Sequence, residues 1–200
     1  FRDLNKDGKI DAKDQTVIGD PNPDFTFGWT NTFAYKNFEL SIGLNGVCGG
    51  DILNIARYRT EALNNQWDNQ SRRVIHRARI ATDASGNAYL ANPGSARTPR
   101  AALNDINGNN RMSDRWLEDG SYLRIQNITL SYTLPKRWSS KIGLQNIKIY
   151  GTLQNIYTWT SYTGYDPEIG AFNQSAAMQN YDMGRYPTPR MYILGVNIGF

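Results

Sequence analysis

The sequence predicts an all-β fold of five antiparallel strands, forming the C-terminal part of a large transmembrane β-barrel with long extracellular loops. Five stretches alternate bulky apolar residues with small or polar ones, the period-two pattern of a strand with one apolar face. The connections between them alternate between short and long, as in outer-membrane barrels. The last stretch ends on Phe200 and resembles the signal by which such barrels are recognised for assembly.

The composition agrees with a barrel and excludes a helical membrane protein. The 200 residues are 40% hydrophobic and 12% aromatic, yet the mean hydropathy is -0.59. No window approaches the ~18 consecutive apolar residues of a membrane helix, whereas alternating strands dilute their own hydropathy. Cys48 is the single cysteine, which excludes a disulfide framework and a Cys-rich metal site. Because the chain begins at Phe1 and has too few strands to close a barrel, we expect it to be a piece of a longer protein.

Residues 1–24 contain a motif that predicts a calcium loop. The segment places oxygen-bearing residues at loop positions 1, 3, 5, 9 and 12 and Gly8 at position 6, as in an EF-hand. The predicted ligands are Asp3, Asn5, Asp7, Lys9 through its carbonyl, Asp11 and Asp14. Asp14 replaces the usual glutamate, as in dockerin loops. We expect a structural Ca²⁺ in an extracellular segment; an Asp- and Gly-rich turn without an ion is the alternative.

The first two strands are predicted over about 25–35 and 38–47. Large side chains occupy the odd positions of the first run and the even positions of the second. Lys36 and Asn37 separate the two runs, so we expect an antiparallel hairpin with a two-residue turn.

Residues 48–121 lack strand periodicity and are expected to form a long extracellular loop. Residues 52–63 and 72–80 favour short helices, and Asn, Gly and Pro interrupt the rest. Residues 51–115 hold ten arginines against six acidic residues, which accounts for the whole net charge of +4. No lysine and no nucleic-acid motif accompany them, so we expect a solvated loop and no nucleic-acid partner.

Strand character returns after this loop, and residues 25–200 are together assigned to the barrel. The remaining strands are predicted over about 121–134, 145–160 and 190–200. In the first of them the parity of the apolar residues changes, which indicates a β-bulge near Gln126 and Asn127. A short polar turn over 135–143 and a second long loop over 161–189 connect them.

No catalytic set is predicted, so we do not expect an enzyme. His76, the only histidine, has no nearby nucleophile in the sequence. The carboxylate pairs Glu118-Asp119 and Asp166-Pro-Glu168 occur in loops, where capping roles are the favoured interpretation over glycosidase chemistry. The aromatic residues at predicted loops or strand ends, which could stack on sugars or form a barrel's interfacial girdle, are Trp67, Trp116, Trp159, Tyr162 and Tyr165. For Trp159 we favour the girdle.

Several stretches carry a resemblance to a known family. They are residues 3–14 with Ile18-Gly19-Asp20-Pro21, residues 116–135, residues 154–158, residues 163–168, Tyr186-Pro187 and Phe200. The most specific are Gly-Ser-Tyr-Leu-Arg at 120–124 and Gly-Tyr-Asp-Pro-Glu at 164–168. Together they resemble the C-terminal part of the SusC/RagA family of TonB-dependent outer-membrane transporters from Bacteroidetes, over nearly the whole chain.

The resemblance implies a multi-pass, 22-stranded barrel in the Gram-negative outer membrane, closed by an N-terminal plug. It further implies TonB-dependent import of oligosaccharides, glycans or peptides, with a SusD-like surface lipoprotein as a lid. The plug and the TonB box are not among these 200 residues, so the chain would supply the last five strands and their loops.

Two other interpretations stay open at this point. An extracellular, calcium-stabilised β-sandwich for adhesion or carbohydrate binding would pack the apolar faces of 25–35 and 192–200 against each other. A glycosidase fragment would need two loop carboxylates within about 10 Å of each other. For the barrel, the residues expected to face lipid are Phe25, Phe27, Trp29, Leu40, Ile42, Leu194 and Ile198. Those expected to face the lumen are Glu39, Ser41, Lys148, Tyr150 and Gln154.

Overall fold

The computed structural model describes residues 1–65, 67–106 and 108–200, which fold as two compact units. The sheet unit comprises residues 21–51, 119–168 and 185–200. The loop unit comprises residues 1–20, 52–118 and 169–184.

Strands dominate the described residues. In chain order they are β1 (Pro23–Tyr35), β2 (Phe38–Gly49), β3 (Asp51–Asn54), β4 (Ile80–Thr82), β5 (Ala88–Leu90), β6 (Leu117–Asp119), β7 (Tyr122–Thr133), β8 (Asn146–Thr160), β9 (Tyr181–Asp182) and β10 (Met191–Gly199). The α-helices are α1 (Ile55–Glu61) and α2 (Lys136–Ser139). Short 3-10 turns lie at Ala12–Asp14, Arg72–His76, Asp114–Trp116, Ser140–Ile142, Phe172–Gln174 and Ala176–Met178. Among the described residues, none of the helices combines the length and the apolar character needed to cross a membrane.

The sheet unit is built on one antiparallel sheet of five strands in the order β1-β2-β7-β8-β10. Its strands are the five that the periodicity predicts, and their ends fall close to the predicted ones. Tyr35 pairs with Phe38 across the first hairpin, which leaves Lys36 and Asn37 as the two-residue turn. Lys36 has a φ of 53°, the left-handed conformation that such a tight turn requires. The predicted fold class is therefore confirmed.

The two faces of this sheet differ in chemistry. One row of cross-strand partners runs Phe33, Leu40, Leu130, Gly151 and Leu194. The next row runs Ala34, Glu39, Ser131, Tyr150 and Gly195. Since neighbouring residues of a strand point to opposite faces, the register places all residues expected to face lipid on one face. All residues expected to face the lumen lie on the other.

The β-sandwich interpretation is wrong, because β1 and β10 belong to the same sheet. β1 and β10 lie at opposite edges of a single sheet, and their apolar side chains share one face. These side chains are exposed: Phe33 by 54% and Leu194 by 89%. In the described part of the chain no second sheet packs on them, so the two apolar faces are not buried against each other.

The predicted bulge is confirmed. Gly43 pairs with Asn127 and Leu44 pairs with Ile125, so Gln126 is the extra residue of β7. The insertion restores the apolar residues on both sides of the bulge to the same face, which explains the change of parity in the sequence.

Between β7 and β8 the chain forms α2 and a 3-10 turn rather than the plain polar turn that we predict. Pro135 precedes α2 with a φ of -56°, which favours helical geometry after it. Gly143 ends the segment at a φ of 75°.

The loop unit has a hydrophobic core of its own, which the prediction of a solvated loop misses. Leu53, Ile55 and Trp116 are buried together, with Tyr58 and Tyr181 packed against them. β3 pairs in parallel with β9 through Leu53 and Tyr181. These residues come from three separate stretches, so no local periodicity predicts this core. Helical structure at Ile55–Glu61 and Arg72–His76 agrees with the short helices that we expect.

Candidate functional site

The two most specific motifs meet in the sheet unit. Arg124, from the first motif, lies on the polar face of β7 between Asn45 and Thr158 of the neighbouring strands. Its side chain is only 4% exposed. Asp166 and Glu168, from the second motif, come from the segment that follows β8 and contact the guanidinium. The two most specific elements of the family resemblance therefore form one physical cluster.

The Arg124 guanidinium makes three side-chain hydrogen bonds. Nη2 donates to Asp166 Oδ1 over 2.5 Å, and Nη1 donates to Glu168 Oε2 over 2.8 Å. Nε donates to Thr158 Oγ1 over 2.9 Å. A guanidinium has five N–H donors in a fixed planar arrangement, which suits it to binding two carboxylates and a hydroxyl at once.

Asp166 joins the cluster to a second stretch of chain. Its Oδ2 accepts from the Thr188 backbone N–H over 3.0 Å, and its Oδ1 also accepts from the Glu168 backbone N–H over 3.0 Å. Burial by itself would raise the pKa of Asp166, but the hydrogen bonds from Thr188, Glu168 and Arg124 outweigh it and lower this pKa below its ordinary value of 3.8. Asp166 is therefore held ionised at neutral pH.

Ser121 fixes the start of the first motif. Its Oγ accepts from the Gly49 backbone N–H over 2.9 Å and donates to Asp119 Oδ1 over 2.6 Å. The hydrogen bonds from the Ser121 hydroxyl and backbone N–H lower the pKa of Asp119. Asp119 therefore has a capping role, as we predict for this carboxylate.

A cavity of about 530 Å³ adjoins the cluster. Its lining includes Arg124, Asn155, Thr160, Tyr165, Asp166 and Tyr186. Tyr165 and Tyr186 are 76% and 86% exposed. The volume lies in the range of small-molecule sites, and exposed aromatic rings beside amide and hydroxyl groups can contact sugars or peptides.

Asp166 and Glu168 bind the same guanidinium and so lie within about 10 Å of each other, but their environment does not suit glycosidase chemistry. A glycosidase needs one carboxylic acid whose pKa is raised, so that it can protonate the leaving group. The pKa of Asp166 is lowered, and both Asp166 and Glu168 are paired with Arg124. The arrangement supports a structural role for the cluster.

The predicted calcium ligands lie in a loop whose carboxylates bond to the loop's own backbone. Asp3 Oδ1 and Oδ2 accept from the Lys6 and Gly8 N–H groups over 2.6 and 2.9 Å. Asp14 Oδ1 and Oδ2 accept from the Leu4 and Asp11 N–H groups over 2.8 and 2.9 Å. In the parts of the chain that the structure describes, no three His, Cys, Asp or Glu side chains are grouped as metal ligands. Calcium binding at Asp3, Asn5, Asp7, Lys9, Asp11 and Asp14 stays a prediction.

The other candidate residues of the sequence differ in their exposure. His76 is exposed, and Cys48 is half-buried. Trp116 is fully buried, so it is a core residue and cannot stack on a sugar. Trp159 lies on the apolar face, packs edge-on against Tyr157 at 4.8 Å and is 49% exposed, as a girdle residue would be.

Sequence reasoning misses a second ion cluster, in the loop unit. Glu61 is 1% exposed in its side chain and pairs with Arg57 and Arg115 at 3.0 and 3.1 Å and with Arg73 at 3.8 Å. Arg57 also pairs with Glu118 at 3.0 Å. Burial lowers the pKa of Arg115 despite its bond to Glu61. The spacing of Arg57 and Glu61, one helical turn apart, is the only sequence signal for this cluster.

Comparison with known proteins gives consistent results. No family model matches the chain. It is 33% identical over 204 residues to TonB-dependent receptor P3 of Formosa agariphila, covering 100% of this chain and 19% of that protein. It is 29% identical to the TonB-dependent receptor SusC of Bacteroides thetaiotaomicron, covering 100% of this chain and 17% of SusC. Among solved structures, the RagAB peptide transporter superposes with a TM-score of 0.73 at 21% identity, covering 96% of this chain and 19% of that one. The chain thus spans about a fifth of the length of these relatives.

Proposed function

The resemblance to the SusC/RagA family of TonB-dependent receptors holds over the whole chain, and from it we propose that the chain supplies the closing five strands of an outer-membrane importer. The complete receptor takes up oligosaccharides, glycans or peptides, with energy delivered through TonB. A SusD-like surface lipoprotein is its partner. The relatives reported above are named as receptors or transporters, in keeping with a role that is not enzymatic.

The observation that carries this proposal is the continuous apolar face of the five-stranded sheet. It runs from Phe33 on the first strand to Leu194 on the last, and its large side chains are exposed. Burying one such side chain is worth about 1.5–3 kcal/mol, so a whole exposed sheet face would be costly in water. Lipid removes this cost without any further protein layer.

Uptake by the organism that encodes the receptor tests the proposal. An in-frame deletion of the complete gene should abolish uptake of one class of oligosaccharide or peptide, and the intact gene on a plasmid should restore it. A protonophore should also abolish the uptake, because TonB transmits the proton-motive force. Uptake that persists in the deletion strain, or that resists the protonophore, would contradict the proposal.

We further propose that the loop at residues 3–14 binds a structural Ca²⁺. Support comes from the EF-hand spacing and from the compact loop that Asp3 and Asp14 organise by hydrogen bonds. Isothermal titration of the full-length receptor with CaCl₂ should show a binding event that an Asp3→Ala, Asp7→Ala double variant lacks. The matched control is Asp83→Ala, in another exposed turn. Equal calcium binding by the double variant would contradict the site.

A further inference from the structure

Two groups of arginines in the loop unit have different surroundings. The inner group consists of Arg57, Arg73 and Arg115, which pair with Glu61, and Arg57 pairs also with Glu118. The outer group, here called the arginine surface, consists of Arg72, Arg77, Arg79, Arg97 and Arg100. Within the described residues, no member of the arginine surface forms an ion pair. Four of the five are exposed, and Arg77 is half-buried.

Backbone hydrogen bonds place two stretches that carry members of the arginine surface side by side. The Arg97 N–H donates to the His76 carbonyl over 2.7 Å, and Arg77 and Thr98 form an isolated parallel β-bridge. The Ala91 N–H donates to the Arg79 carbonyl over 2.8 Å. These bonds align the stretch that contains Arg77 and Arg79 with the stretch that contains Arg97.

No local acid neutralises this surface. Residues 69–102 contain six arginines and one acidic residue, Asp83. Arg73 pairs with Glu61, outside this stretch, so the five members of the arginine surface are left with Asp83 alone. Asp83 is used by its own turn, where it accepts from the Ser85 and Asn87 N–H groups over 2.9 and 2.8 Å. The hydrogen bonds from Asn87 lower the pKa of Asp83. Asp83 is therefore an ionised carboxylate that is bonded within its own turn. The stretch therefore carries an excess of positive charge, which attracts anions.

The chemistry of the arginine surface suits oxyanions. Guanidinium groups form paired hydrogen bonds with planar or tetrahedral oxyanions, which lysine ammonium groups do not, and residues 51–115 contain no lysine. Tyr89, on the β4–β5 hairpin of the same stretch, is 52% exposed and offers a ring face for stacking. Resting on the proposed import function, we propose that the arginine surface binds the carboxylate or sulfate groups of an anionic oligosaccharide taken up by the receptor.

Binding to the purified full-length receptor tests this inference. The probes are an oligogalacturonate, a sulfated dextran oligosaccharide, an uncharged dextran oligosaccharide of the same length and oligoglutamate. The two anionic sugars should bind more tightly than the uncharged one, and their affinity should fall as NaCl is raised, because exposed charges are screened by salt. An Arg79→Gln, Arg97→Gln double variant should lose about tenfold or more in affinity for both anionic sugars.

Matched variants separate this explanation from others. A Lys136→Gln, Arg137→Gln variant removes two exposed charges from the turn after β7 and should bind as the unmodified receptor does. Unchanged affinity of the Arg79, Arg97 variant for the anionic sugars would overturn the inference, as would tighter binding of oligoglutamate. Loss of the co-purifying lipoprotein in that variant would also overturn it, because the surface would then be a protein interface. TonB-dependent uptake of uncharged sugars but not of anionic ones would overturn the inference. The same result would support the proposed import function.

Discussion

At the residue scale, Arg124 joins parts of the sheet unit that are distant in sequence. It lies on β7, bonds to Thr158 of β8 and pairs with Asp166 and Glu168 beyond it. Asp166 in turn accepts from Thr188, on the approach to β10. One buried guanidinium thus holds both ends of the connection between β8 and β10 against the sheet.

Replacing Arg124 by alanine should destabilise the receptor strongly. The variant leaves Asp166 buried without its cation, a loss of about 3–5 kcal/mol for a broken buried pair. The control is Lys148→Ala, which breaks the exposed pair with Glu39 at 3.0 Å and should cost less than about 1 kcal/mol. Urea unfolding of the detergent-purified receptor measures both. Equal midpoints for the two variants would show that the Arg124 cluster contributes no more than a surface pair.

The stabilising effect of the Asp166 charge should depend on pH. Its pKa is lowered in the folded protein below the ordinary value of 3.8, so the charge stabilises the fold above pH 3.8. This contribution is lost as the pH falls through the folded-state pKa. Asp166→Asn should therefore be less stable than the unmodified receptor at pH 7, and the difference should shrink as the pH is lowered below 3.8. A difference that stays constant over this range would contradict the assignment.

At the scale of elements, the strands of the large sheet could be predicted and the loop unit could not. Each strand of the sheet has one apolar and one polar face. The alternation of consecutive residues therefore predicts the strand and the face on which each side chain lies. The core of the loop unit takes Leu53, Trp116 and Tyr181 from stretches more than sixty residues apart. Contacts between such distant stretches produce no periodic pattern in the local sequence. The Arg124 cluster is intermediate: its motifs could be recognised, but their contact could not.

Trp116 tests whether the loop unit depends on this core. Its side chain is fully buried, with Tyr58 edge-on at 5.3 Å and the Arg115 guanidinium over the ring at 4.3 Å. Trp116→Ala should destabilise the unit by about 3–5 kcal/mol. Limited proteolysis should then cut residues 52–118 faster while β7 and β8 stay protected. Trp67→Ala, at an 85% exposed position, is the control; equal cleavage rates for the two variants would contradict a core role.

At the scale of the whole molecule, two features of the sheet are unfavourable in water. Its apolar face is exposed across all five strands, and in the described chain β1 and β10 each pair on one side only. Unpaired strand edges and an exposed apolar face both favour aggregation in water. A closed barrel in lipid resolves both at once, since further strands cover the edges and acyl chains cover the face.

Neighbouring residues on β1 give a matched test of this conclusion. Phe33 lies on the apolar face and Thr32 on the polar face, paired with Leu40 and Ser41. Phe33→Arg places a charge toward lipid and should cost about 2–4 kcal/mol if the position is near the bilayer centre. Thr32→Arg places the same charge toward the lumen and should cost much less. The receptor's level in purified outer membranes and its heat-modifiable mobility on gels report correct assembly. Because the two variants add the same side chain one residue apart, equal assembly of both would show that neither face meets lipid.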